Sequence, residues 1–154
     1  MEDVIRIRPL HFVDILCDYG AGTDVFELHP YGHAYHTVAN DFLNAKDRML
    51  EITLEPDAVC VPCVHNVDNV CDNLLDRTGR PSAPVMMRDW DLAINQRWCA
   101  RLGIGEGDRY SARQLVERLR DRKGDINDIF PEILDDRIKI KAVNLDKGIE
   151  KFLK

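Results

Sequence analysis

Long apolar runs are missing from this sequence. No stretch approaches the roughly 18 residues a helix needs to cross a bilayer, so a helical membrane span is not expected. The opening Met1-Glu2-Asp3 is acidic and lacks the basic-then-apolar pattern of an export signal. A cytoplasmic location is the expectation. Gly-x-Gly-x-x-Gly, Gly-x-x-x-x-Gly-Lys and Gly-x-Ser-x-Gly are all absent, which leaves nucleotide-dependent and serine-hydrolase chemistry without support. A basic excess is missing too. Lys and Arg number 21 against 27 Asp and Glu, for a net charge of −6. Residues 1–70 alone hold 12 acids and 4 bases. A duplex-binding protein normally presents a basic face. The one local concentration, Arg113, Arg118 and Arg120 with Arg122 and Lys123, reads as a solvated helix face. Neither nucleic acid nor a membrane is an expected partner. There is no internal repeat, no heptad run and no low-complexity tract.

What remains is an ordinary globular composition, 45% apolar and 31% charged over 154 residues. It suits one domain, or one domain with a short appendage. Ile5 and Ile7 alternate with Arg6 and Arg8, which predicts a strand. Pro9 suits the first turn of a helix running through Cys17, and Gly20 and Gly22 end it. Tyr31, Tyr35, Val38, Phe42, Ala45 and Met49 recur at steps of three and four, predicting one helix over 31–50. Leu50, Ile52 and Leu54 then alternate with polar residues as a second strand, closed by Pro56-Asp57. Residues 85–102 read as helix with Gly103 as C-terminal cap, and Ser111 with Gln114 as a capping box opening another. Ile138, Ile140 and Ala142 alternate with basic residues, which predicts a third strand over 137–143, with a short helix after it. Lys139 and Lys141 on that strand would face Glu51 and Glu55.

The fold expected is α+β: a helix-rich single domain around a small three-stranded sheet, with a Cys-rich loop after the second strand. Residues 1–124 form the domain and 125–154 an extension packing on it. A helix separates the first two strands, so they should run parallel with a right-handed crossover. The segments bearing His11 with Cys17, and Cys60, would then leave the same sheet edge, where ligand sites of such arrangements lie.

Cysteine is the informative residue. Cys17, Cys60, Cys63, Cys71 and Cys99 make an odd count with no export signal, which argues against a disulfide scaffold. Cys60-Val-Pro-Cys63 and Cys71 cluster in a loop with neither helix nor strand period. A Cys-x-x-Cys turn aims two thiolates at one ion or cluster. A metal site is therefore expected, with Cys17 as fourth ligand and His11 and His65 in reserve. Cys99, beside Trp98 on a helix, reads as packing. Structural zinc sites usually pair two ligand turns and only one is present, so an iron–sulfur cluster is favoured over zinc. His33 and His36 are spaced for a helical metal pair, but without an accompanying motif they read as solvent-facing or as a pocket wall with His29. A dithiol oxidoreductase at Cys60-Val-Pro-Cys63 lacks the helix opening that lowers a thiol pKa.

Ile7-Arg8-Pro9-Leu10-His11, Gly20-x-Gly22, Asp57-x-x-Cys60-x-x-Cys63 and Cys71 resemble a family of prokaryotic proteins, domain-of-unknown-function family 1284. Leu102-Gly103-Ile104, Gly107-Asp108, Tyr110-Ser111 and Leu115 to Leu119 resemble its C-terminal half, so the likeness covers about residues 4–120. The family is presumed to bind iron–sulfur clusters, and the resemblance implies Cys60, Cys63 and Cys71 as ligands. The family's first His falls on Leu10 here, and its first Cys falls on Asp14, one helical turn before Cys17. Cys17, Asp14 or a His then remains as the fourth ligand. The expectation is one cluster of the [4Fe–4S] type, tuned by His11, in electron transfer or redox sensing with a protein partner. A structural zinc-binding interaction module is the alternative. An enzyme using an open cluster site is the third reading.

Overall fold

The computed structural model describes residues 3–154, so Met1 and Glu2 of the acidic opening lie outside the described residues. Strand β1 spans Ile5–Ile7 and leads directly into α1, Pro9–Gly20. Helix α2, Tyr35–Leu43, precedes β2, Met49–Ile52. A small hairpin follows, β3 at Asn66–Val67 and β4 at Val70–Cys71. Then come α3, Met87–Leu102, β5, Arg109–Ser111, α4, Ala112–Arg122, and α5, Asp135–Leu153. The fold is α+β, with helices around a three-stranded mixed sheet of order β1-β2-β5. β1 and β2 are parallel, with Ile7 opposite Ile52, and β5 is antiparallel to β2, with Tyr110 opposite Leu50. Both parallel strands end at one edge, and the Cys-rich loop leaves from it. No described helix is long and apolar enough to cross a membrane.

Several local signals act as their chemistry requires. Ser111 and Gln114 exchange the two hydrogen bonds of a capping box. Gly103 closes α3 with φ of 66°, the left-handed region that suits glycine.

Two elements differ from expectation. Residues 137–143 are not a strand but the first half of α5. Over three residues the alternation mimics a strand, yet Ile140 is exposed while Ile138, Leu145, Ile149 and Phe152 are buried. Their spacing is helical once the window is long enough. The third strand is β5 instead. Glu51 meets Arg6 at 3.1 Å and Arg109 at 3.0 Å rather than the lysines. The second difference is the length of α2. The apolar stripe over 31–50 is helical only at Tyr35–Leu43, because Pro30 and Gly32, the latter with φ of 72°, hold the preceding segment in turns. Met49 already belongs to β2.

Helix α1 is the centre of the molecule, burying Leu10, Phe12, Val13, Ile15, Leu16 and Cys17. Helix α5 lies along it so closely that their backbones touch. A Cβ at Gly148 would run into the Leu16 carbonyl, and one at Gly20 into the Asn144 carbonyl. Gly148→Ala is therefore expected to cost about 3 kcal/mol, the upper end of ordinary overpacking, because backbone atoms have no rotamer by which to yield. Urea unfolding checks this. A cost within error of zero would mean that the crossing is loose.

Candidate metal centre

The junction between β1 and α1 builds the site. Arg8 precedes a proline and is therefore extended, with φ of −80° and ψ of 143°. The first N–H groups of a helix have no partner within it. Here Leu10 N donates to Asn95 Oδ1 at 2.8 Å, and Arg8 N, just before the helix, donates to Asp57 Oδ2 at 2.7 Å. Asp57 comes from the segment after β2 and is 2% exposed. Its carboxylate also accepts from Val59 N at 3.1 Å and meets His11 Nδ1 at 2.9 Å. Burial alone would raise the Asp57 pKa. The neighbouring His11, its hydrogen bond and Arg8 outweigh that and hold it at about 2. The carboxylate thereby fixes the His11 ring. This is the support that metal-binding histidines commonly receive.

The Cys loop winds over this pair in three successive turns. Cys60 N donates to Asp57 O at 2.9 Å, Cys63 N to Cys60 O at 2.9 Å and Asn66 N to Cys63 O at 3.0 Å. Asn66 Nδ2 ties back to Cys60 O at 3.1 Å. The β3–β4 hairpin then reverses through Asp68 and Asn69, both at positive φ, and sets Cys71 opposite Asn66. Cys60, Cys63 and Cys71 are all half-buried and free of disulfides.

Arg8 lies beneath them. Its Nη2 is 3.3 Å from Cys60 Sγ, 3.4 Å from His11 Nε2 and 3.4 Å from Asp91 Oδ2. A ring nitrogen of His11, an oxygen of Asp57 and Cys60 Sγ all fall within 4.8 Å of one another, close enough to share one ion. Burial, then Asp57, pushes the Cys60 thiol up to about 12 against the pull of Arg8, and burial raises Cys71 as well. A thiol so raised is not a ready nucleophile or redox dithiol.

The structure does not bring Cys17 to this group. It stands six residues beyond His11 on α1, about 9 Å along the axis and a third of a turn around it. Its thiol faces the Lys141 carbonyl at 3.9 Å, and burial pushes it up to about 12. Asp14 pairs with Lys141 at 2.7 Å. His65 pairs with Asp72 at 2.8 Å. His29 and His33 stack with ring centres 4.4 Å apart and line a cavity of about 380 Å³ with Asp14, Cys17, Asp18, Tyr35 and Lys141. Cys99 is half-buried on α3.

Sequence reasoning missed the charged frame of the site. Arg8 sits on the polar face of a predicted strand yet is 6% exposed. Asp57 reads as a strand stop, and Asp91 and Asn95 as unremarked positions on a helix, yet all three are buried. The available signal was Arg-Pro-x-His at a strand-to-helix junction. There Arg8 is extended, as a residue before proline is, and its guanidinium is covered by Cys60, His11 and Asp91. No family model matches the chain, and neither a curated protein nor a solved structure matches it significantly.

Of the predicted Cys ligands, Cys60 alone lies within ion-sharing distance of His11 and Asp57 among the described residues. The donor set is therefore mixed, one nitrogen, one oxygen and one sulfur, with Cys63 and Cys71 on the loop around it. Arg8 Nε and Asn66 Oδ1, buried beside the Cys loop, have no hydrogen-bond partner among the described residues. Buried polar atoms are rarely left so. A group with acceptor atoms, held by Cys60, would satisfy the first of them.

Proposed function

We propose that this protein holds an iron–sulfur cluster, of the [4Fe–4S] type, on Cys60, Cys63 and Cys71 and serves electron transfer or redox sensing in the cytoplasm. The observation that carries the reading is the placement of the Cys60 thiol against a buried guanidinium and a carboxylate-held histidine. Bound there, such a group supplies one-electron chemistry. The chain's residues do the rest. Cys60 and Cys63, on one turn, would supply two sulfurs, and Cys71, on the hairpin that follows, a third. Asp57 aligns His11, which supports His11 over Cys17 as the fourth donor. The resemblance of these motifs to family 1284 supports the same reading. Val61, Val64, Val67 and Val70 stand exposed around the loop and supply an apolar rim for a protein redox partner. The acidic 1–70 segment would steer a basic one.

A second reading, a structural zinc-binding interaction module, is favoured by the mixed nitrogen, oxygen and sulfur donors of His11, Asp57 and Cys60. Anaerobic purification followed by absorption and iron, sulfide and zinc analysis separates the two. A brown protein with about four iron and four sulfide per chain supports the cluster. A colourless one with about one zinc overturns it in favour of the second reading.

A further inference from the structure

We propose that Arg8 is the built-in counter-cation of the thiolate centre and raises its reduction potential. The inference rests on the iron–sulfur reading but concerns a residue that is not a ligand. Arg8 is 6% exposed, with its Nη2 at 3.3 Å from Cys60 Sγ. Burying a guanidinium is costly unless its charge is answered. Asp91 answers part of it at 3.4 Å. The Asp57 carboxylate, which also holds His11 and the backbone N–H groups of Arg8 and Val59, answers a further part. Arg8 Nε remains without a partner among the described residues, and Cys71 as well as Cys60 lies within its electrostatic reach. One arm of the fork thus reaches Cys60 Sγ, where negative charge would gather on a bound centre. When the centre takes one electron from an external one-electron donor, its charge falls by one. Arg8 keeps its proton throughout, so no proton accompanies the electron. The fixed positive charge stabilises the reduced form more than the oxidised one. Hydrogen bonds to cluster sulfurs and local charge are the levers by which proteins set such potentials.

The test is an equilibrium redox titration, with dithionite and mediators, of anaerobically loaded wild type, Arg8→Gln, Arg8→Lys and Asp91→Asn. Iron and sulfide content and far-UV circular dichroism confirm that each variant is folded and loaded. At the wild-type midpoint, Arg8→Gln is expected to lower the reduced-to-oxidised ratio about tenfold, about 59 mV for a one-electron couple. Asp91→Asn removes a competing negative charge and shifts the midpoint the opposite way. Arg8→Lys, which keeps the charge and loses the fork, falls between wild type and Arg8→Gln. Shifts of the same sign in Arg8→Gln and Asp91→Asn, or a midpoint unmoved in loaded Arg8→Gln, overturn the proposal and leave the cluster standing. Should Arg8→Gln fail to load, Asp91→Asn decides alone: an upward shift supports the proposal, and no shift or a downward one overturns it. A wild type that takes up no iron overturns both the proposal and the reading beneath it.

Discussion

Replacing Cys60, Cys63 or Cys71 singly by Ser is expected to reduce bound iron to background, whereas Cys17→Ala keeps the wild-type content. The contrast follows from placement. Cys60 and Cys63 lie on turns tied by hydrogen bonds from Asp57 through Asn66, and the hairpin pairs Cys71 with Asn66. Cys17 faces α5 instead, with its thiol on the Lys141 carbonyl. His11→Ala is expected to give an intermediate result, with loading weakened rather than lost, because three thiolates remain. Loss of an outer partner of a ligating histidine typically costs 10- to 100-fold in affinity. Asp57→Asn should fall in that range for metal retention against a chelator. The measurement is iron and sulfide per chain after anaerobic loading, with circular dichroism to show that each variant is folded. Loss of iron in Cys17→Ala together with full iron in Cys71→Ser would reverse the ligand assignment.

The sequence made the Cys-rich loop visible and hid the buried charges beside it, for a physical reason. A Cys-x-x-Cys turn is local: Cys63 N bonds back to Cys60 O, so the short backbone alone sets it. Cys71 follows from the Asp68-Asn69 reversal, which is local too. The parallel pairing of β1 and β2 was legible for a similar reason, since a helix between two strands forces a crossover. Arg8, Asp57 and Asp91 meet only because β1, the loop after β2 and α3 converge, and their separations in sequence are 49 and 83 residues. Periodicity treats such residues as solvent-facing charges, which most charges are. The surroundings of the fourth-ligand candidates were hidden on similar grounds. Asp14 and Cys17 are one turn apart on α1, and α5 covers the face they share: Lys141 pairs with Asp14 and its carbonyl faces the Cys17 thiol. The packing of α5 on α1 is what three alternating residues at Ile138–Ala142 concealed. A strand there would have left the face open. The Gly20–Gly148 crossing is the tertiary fact that closes it.

Asp57→Asn is expected to be the most destabilising single change at the site, costing roughly 2–3 kcal/mol at neutral pH, as loss of hydrogen bonds to a buried charged group does. The carboxylate is 2% exposed and serves His11, Arg8 N and Val59 N together. The amide keeps the shape and one acceptor but loses the charge, so the Arg8 guanidinium keeps only Asp91 as a buried counter-charge and the His11 ring loses its carboxylate partner. The pH dependence separates this charge effect from simple packing damage. In the folded protein Asp57 is held at about 2, below its ordinary 3.8. A carboxylate depressed on folding contributes stability that is complete above the unfolded value and is lost as the pH falls through 3.8 toward 2. The size of the effect is about 2 kcal/mol at one pK unit per 1.36 kcal/mol. Urea unfolding of chelator-treated wild type and Asp57→Asn between about pH 5 and pH 2 isolates it, because every other carboxylate titrates in both. Wild type should lose about 2 kcal/mol more than the variant across that window. Parallel acid profiles would show that the Asp57 charge contributes nothing to the fold, and that His11 is held by packing alone.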